Sequence, residues 1–240
     1  MNAGKTHLWA ILIGAAIVTP SMVVAHGDVT PQAMDTTALP DIGEDWLEEN
    51  PWRSPEADSW TTAIEIGASG YNSNCARCHG LGAVSGGLAP DLRYLEADID
   101  GDEWYLERFQ LGMTQNGITK MPAFGELLGQ KAAWAIRTYL ETRPDDGALD
   151  DHVGALNETK DQLIANADMV AAGSKTETDF ADQSAEMKTK LGEIAATVET
   201  GSGAPMADSV ASRAAMALDG STGSLKNAVD ILKVGLSVAE

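Results

Sequence analysis

Residues 75–79 read Cys75-Ala76-Arg77-Cys78-His79, and both cysteines of the 240-residue chain lie within these five positions. Cys-x-x-Cys-His is the signature of covalent haem attachment. The chemistry sets the spacing. Two thiols one helical turn apart add to the two vinyl groups of haem as thioethers, and the adjacent histidine is held under the iron as an axial ligand. Three rivals share part of the pattern. A thioredoxin-like redox pair needs a preceding strand in a βαβ context, which the flanking sequence lacks. A tetrahedral zinc site needs further ligands, and His26 and His152 are far off in the sequence. A disulfide across so short a span would be strained.

Covalent attachment through Cys75 and Cys78, with His79 below the iron, leaves one axial position open. Met121-Pro122-Ala123-Phe124 follows His79 by 42 residues and is expected in a loop between two helices. A thioether is a soft ligand that suits low-spin haem, and methionine–histidine ligation raises the reduction potential. Pro122 fixes the backbone beside Met121. Met113 competes from the end of the preceding helix, where the alternative is a methionine filling a gap in the core.

Composition sets the context. The chain has 16 Lys and Arg against 36 Asp and Glu, a net charge of −20, which argues against nucleic acid and against anionic membrane surfaces as partners. Residues 1–25 read as an export signal: Lys5 is the basic start, residues 8–18 form an apolar run, and Val23-Val24-Ala25 is a small-residue cleavage site. The run is short for a membrane span, and the alternative is an uncleaved anchor. The expectation is a periplasmic protein with no membrane insertion after cleavage.

The aromatic residues divide the chain. Every tryptophan and tyrosine precedes residue 150, and beyond it the only aromatic is Phe180. The break falls at Arg143-Pro144-Asp145-Asp146-Gly147, a helix-stopping turn. Residues 26–60 read as an irregular acidic arm interrupted by Pro31, Pro40, Pro51 and Pro55. Residues 61–145 form the haem domain. Helices are expected over 61–79, from Gly101-Asp102 to Gly112, and over 126–142, with a glycine-containing loop over 80–100 and no strand. Residues 149–240 form an amphipathic helical extension. Its apolar stripes run through Leu149, Leu156, Leu163 and Val170; Phe180, Met187 and Ile194; Met206, Val210 and Ala214; and Leu225, Val229, Leu232 and Leu236. The stripes are thin, so an isolated bundle would be marginal.

Gly67 and Tyr71 before Cys75, then Cys-x-x-Cys-His, Ala89-Pro90-Asp91-Leu92, Met121-Pro-Ala-Phe, and a last helix with Trp134 and Tyr139 together resemble class I cytochrome c. The resemblance implies an all-α class I cytochrome c fold, here followed by the helical extension. It implies one covalent haem c, with Cys75, Cys78, Tyr71 and Pro90 as cofactor-binding residues and His79 and Met121 as iron ligands. Gly67 and Tyr71 are expected to pack on the last helix, and the Pro90 carbonyl to accept the Nδ1 hydrogen bond of His79. His26-Gly-Asp-Val-Thr-Pro-Gln, Tyr71-Asn-Ser-Asn-Cys-Ala-Arg-Cys-His-Gly, Gly86-Gly-Leu-Ala-Pro-Asp-Leu-Arg-Tyr-Leu and Trp134-Ala-Ile-Arg-Thr-Tyr-Leu-Glu resemble, more narrowly, the c-550-type cytochromes. Those accept electrons from quinoprotein (PQQ-dependent) alcohol dehydrogenases, and are related in role to the cytochrome cL of methanol oxidation. The extension lies outside that pattern.

The resemblance implies an electron carrier with no catalytic residue, a quinoprotein alcohol dehydrogenase as donor and an oxidase or another cytochrome as acceptor. An acidic surface would suit a basic docking patch on the partner. The alternative is a peroxidase-like haem enzyme with a displaceable sixth ligand, which needs distal acid–base groups. Two weaker signals remain. Asp98, Asp100 and Asp102 offer hard oxygen ligands for Ca2+, against the plainer reading of an acidic helix start. His26, as a new N-terminus, offers an amine and a ring to copper, against the plainer reading of a free end.

Overall fold

The computed structural model describes residues 31–237. The export segment, the first residues of the arm and the His26 reading lie outside the described residues.

The haem domain is built on two crossing helices. In α1 (Trp60–Asn74), Trp60, Ala63, Ile64, Gly67, Tyr71 and Asn74 recur at helical spacing and are buried. This stripe meets α4 (Gly125–Glu141), buried almost continuously from Ala132 to Glu141. At the crossing only a hydrogen fits: a Cβ on Gly67 would lie 1.9 Å from the Ala135 carbonyl oxygen. One turn on, the rings of Tyr71 and Tyr139 pack with centroids 5.3 Å apart. The sequence places a single helix over 61–79, but α1 stops at Asn74 and a short α2 (Ala76–His79) follows a distorted Cys75.

Helix α3 (Ile99–Leu111) starts two residues before the expected point, because Asp98 caps it by accepting from the Gly101 N–H at 2.9 Å. Two strands follow that the sequence reading did not include: β1 (Met113–Gln115) and β2 (Ile118–Met121), an antiparallel pair. Asn116 and Gly117 take positive φ of 53° and 75°, the geometry of a tight hairpin turn. Met121 therefore ends a strand rather than lying in a loop. The expected 126–142 helix begins at Gly125 and is interrupted at Gly129, where φ is +73°. Leu127, an apolar position of that expected helix lying before the break, is exposed.

The described part of the arm is irregular, yet it is not loose. Leu39 and Trp52 are buried in the haem-domain core, and Met34, Ile42, Trp46 and Leu47 pack against it. The Gln130 side chain donates to the carbonyls of Gly43 and Asp45. Asn50 donates through Nδ2 to Glu141 at 2.8 Å and to Thr138 at 3.0 Å.

The extension folds as α5 (Val153–Ala171), α6 (Ala181–Thr197), α7 (Val210–Ala217) and α8 (Ser224–Ser237). The sequence stripes face inward: Leu156, Leu163, Leu191, Leu225 and Leu232 are fully buried in a second core. Met206 precedes α7 instead of belonging to it and packs on the haem-domain core. The bundle is not isolated, as its thin stripes would require. Pro144 bridges Thr200, the Asp145 N–H donates to the Glu199 carbonyl, and the Asp208 N–H donates to the Thr142 carbonyl. Burial pushes the Asp208 carboxyl up, but hydrogen bonds and charge from Arg213 and Arg143 outweigh it and hold the group below the usual carboxylate value. No helix among the described residues is long and apolar enough to cross a membrane.

The Gly67 contact is with backbone, which cannot swing aside. Gly67→Ala should cost roughly 2–4 kcal/mol of unfolding free energy in a denaturant titration. A loss below about 0.5 kcal/mol, the range of a neutral surface substitution, would contradict the crossing geometry.

Candidate haem site

The end of α1 delivers the motif. The Cys75 N–H donates to the Tyr71 carbonyl at 2.7 Å, and the Cys78 and His79 N–H groups donate to the Cys75 carbonyl at 3.1 and 3.0 Å. This tight turn brings the two cysteines close along the chain, and both are free and half-buried. Burial pushes the Cys75 thiol up to about 12, with the neighbouring Cys78 adding to the shift. Such a thiol stays protonated at neutral pH. That runs against a thioredoxin-like pair, whose attacking cysteine works through a lowered value.

His79 is oriented from outside its own helix. Its Nδ1 lies 2.9 Å from the Pro90 carbonyl oxygen. A carbonyl only accepts, so Nδ1 carries the proton and Nε2 carries the lone pair a metal needs. The corner holding Pro90 is itself braced. Asp91 accepts from the Arg93 guanidinium at 2.8 and 3.1 Å and from the Ser85 N–H at 3.2 Å. Sequence reasoning missed this brace, since an Asp-x-Arg pair has no distinctive spacing. Tyr71 donates from its hydroxyl to the Gly80 carbonyl at 2.8 Å, so it fixes the backbone immediately after His79. Burial pushes the Tyr71 hydroxyl far up, which keeps it a donor.

Met113 and Met121 are direct cross-strand partners in the hairpin. They differ in burial. Met121 packs against the haem-domain core that also takes up Cys75 and Ala76, whereas Met113 is 47% exposed. The Met121 backbone is pinned by a close approach: Gly112, at φ +67°, leaves no room for a Cβ against the Met121 carbonyl, which would lie 2.4 Å away. The Phe124 N–H then donates to the Phe109 carbonyl at 2.8 Å and closes the segment onto the end of α3.

The donor set fits haem c. It offers two free thiols, a histidine with Nε2 unpartnered among the described residues, and a thioether sulfur on a clamped strand end. Leu81, Val84 and Leu88 in the loop after His79, and Ile118 on the strand that ends at Met121, stand exposed, apolar surface of the kind a flat apolar macrocycle can cover. The carboxylates considered for calcium do not converge. Asp98 caps α3, and Asp102 is fully buried, accepting from Arg137 at 2.7 Å and Arg53 at 2.6 Å. No group of three His, Cys, Asp or Glu side chains is arranged to hold a metal ion among the described residues.

In the haem-free chain, iodoacetamide labelling of Cys75 should be slow at pH 7 and rise about tenfold per pH unit past pH 10. Trypsin cuts after Arg77 and separates the two cysteines for mass spectrometry. A plateau near pH 9 would show an ordinary, unburied thiol.

Residues 62–140 match the family described as cytochrome C oxidase, cbb3-type, subunit III. The chain is 50% identical over 135 residues to a cytochrome c550 of Pseudomonas aeruginosa, covering 56% of this chain and 92% of that one. It is 34% identical over 94 residues to the quinohemoprotein alcohol dehydrogenase ADH-IIG of Pseudomonas putida, which is 39% of this chain and 12% of the enzyme. It is 30% identical over 94 residues to ADH IIB of the same species, which is 38% of this chain and 13% of the enzyme. No solved structure matches. Identity at half of the aligned positions, across nearly the whole of the Pseudomonas aeruginosa protein, makes the chain a member of the cytochrome c550 family of c-type cytochromes, which are haem c electron-transfer proteins and not enzymes.

Proposed function

We propose that this cytochrome is a periplasmic carrier that takes single electrons from a quinoprotein alcohol dehydrogenase and passes them to an oxidase or another cytochrome. One observation carries the reading. A segment similar to this chain lies inside the polypeptide of two quinohemoprotein alcohol dehydrogenases, and a free-standing relative is a cytochrome c550. A module joined to such a dehydrogenase in one chain can serve one as a separate partner.

In this reading Cys75 and Cys78 hold the haem by thioethers and His79 and Met121 bind its iron, whose ferric–ferrous couple supplies the one-electron chemistry. Pro90 keeps the His79 ring in one orientation and one tautomer. Tyr71 keeps the chain after His79 from shifting. The half-buried Met121 is favoured over the exposed Met113 because a ligand on a clamped strand end needs no reorganisation between redox states. A two-electron quinone donor would need two encounters per alcohol.

The surface that meets partners differs from the acidic one expected from net charge. No Asp or Glu occurs between Glu65 and Asp91, or between Glu107 and Glu126, although the chain has 36 of them. These are the two segments that carry the motif and Met121. Their exposed cations are Arg77 and Lys120. The carboxylates lie elsewhere, so the haem face is apolar and weakly basic on an acidic body. It suits an uncharged or acidic patch on the donor, and electrostatic steering of the encounter is weak.

Two measurements test the reading. The oxidised holoprotein should show the weak far-red iron–methionine band, lost in Met121→Ala and kept in Met113→Ala. The opposite result would move the ligand to Met113. Oxidation of the reduced protein by ferricyanide should change by less than about twofold between low and high ionic strength. A steep rise with salt would mean that the full negative charge, and not the acid-free face, meets the partner.

A further inference from the structure

The helical extension has no counterpart in the pattern of the haem domain, and the alignment takes up too much of the Pseudomonas aeruginosa relative to leave room for one. Its own core is formed by side chains of α5 to α8 and of the turns between them. One stretch of it does something else. Residues 199–208 leave α6, run along the end of α4 and reach the segment just past the Pro90 corner.

The contacts are specific. The Ala97 N–H donates to the Ser202 carbonyl at 3.0 Å. The Ser202 hydroxyl donates to the Glu141 carbonyl at 2.6 Å. The Gly201 N–H donates to the Arg143 carbonyl at 3.3 Å. Gly201 sits so close over the haem domain that a Cβ would lie 3.0 Å from the Arg93 carbonyl and 3.2 Å from the Tyr94 ring. Arg137 in turn donates to the carbonyls of Leu95 and Glu96. Segment 93–97 is thus held both by the buried guanidinium of Arg137 and by the turn at 199–204. Arg93, itself buried, grips Asp91, and Asp91 is joined to Pro90, whose carbonyl holds His79.

We propose that residues 199–204 of the extension are a strut for the proximal side of the haem, with Gly201 and Ser202 as positioning residues that keep the Pro90 carbonyl on His79 Nδ1. This rests on the assignment of His79 as an iron ligand. A firm Nδ1 hydrogen bond makes Nε2 a stronger donor and favours ferric iron. A loosened strut therefore raises the reduction potential. The extension accordingly tunes the carrier without touching the cofactor, and the haem face stays clear for partners.

The test uses the full-length holoprotein and reads the reduction potential together with the far-red band. Gly201→Val forces the run away from Arg93 and should shift the potential upward with the band retained. Gly201→Ala, which asks its neighbours to give by only a few tenths of an ångström, should shift it less in the same direction and keeps the test open if the valine variant fails to fold. Leu163→Ala, deep in the extension's own core, should lower the melting temperature and leave the potential unchanged. Potentials equal to the parent in both Gly201 variants, or an equal shift in Leu163→Ala, overturn the strut. A parent without a covalent-haem spectrum overturns the assignment of His79 and the strut with it, whereas a parent with that spectrum and unmoved potentials overturns the strut alone.

Discussion

The guanidinium of Arg137 has no exposed surface and sits in the middle of the haem domain. A buried charge is tolerated only when it is paired and its donors are used. Here Arg137 pairs with Asp102 of α3 at 2.7 Å, approaches Glu141 one turn along α4 at 3.7 Å, and donates to the carbonyls of Leu95 and Glu96. Asp102 also accepts from Arg53 and from the Asn50 N–H, which ties in the arm. Burial pushes the Glu141 carboxyl up, and Arg137 and Arg53 oppose that shift. Removing one member would strand the others in a dry interior, at a cost on the order of 3–5 kcal/mol. The cluster therefore fixes the arm, α3, α4 and the segment after the Pro90 corner in one arrangement, and the carbonyl that orients His79 lies next to that fixed segment.

Rigidity of this kind serves electron transfer. A carrier changes charge at one atom and gains from surroundings that do not reorganise with it. Tyr71 under Gly80, Gly112 against Met121 and Asp91 on Arg93 each immobilise backbone near His79 or Met121. The extension adds a further layer beyond these. The distribution of carboxylates completes the arrangement: they are excluded from the two segments that carry the Cys75–His79 motif and Met121, in a chain that is otherwise strongly acidic.

Much of the fold was legible because it is local. The α1 stripe, the stop at Gly112 and the four stripes of the extension are patterns within one to four helical turns, and helices formed on them, although α1 stops at Asn74 and Met206 falls outside α7. The hairpin was missed although Asn116-Gly117 is a turn signal, because strands of three and four residues, all exposed except Met121, carry no apolar alternation. Asp102 read as one of three solvated acids, and nothing nearby in the chain revealed that its partners are Arg53 and Arg137. Such pairings join residues 35 to 91 positions apart, and spacing along the chain does not encode them.

The sequence by itself determined the chemistry. Two thiols and a histidine on one helical turn admit few uses, since the reacting groups lie within five consecutive residues. It also determined where helices run, because burial of a stripe needs only its period. Tertiary structure alone decided which methionine is clamped, that the acidic loop supplies a buried counter-ion, and that the extension packs on segment 93–97. Those outcomes depend on which surfaces meet when distant segments pack, and close packing selects them by shape and charge that no single segment carries.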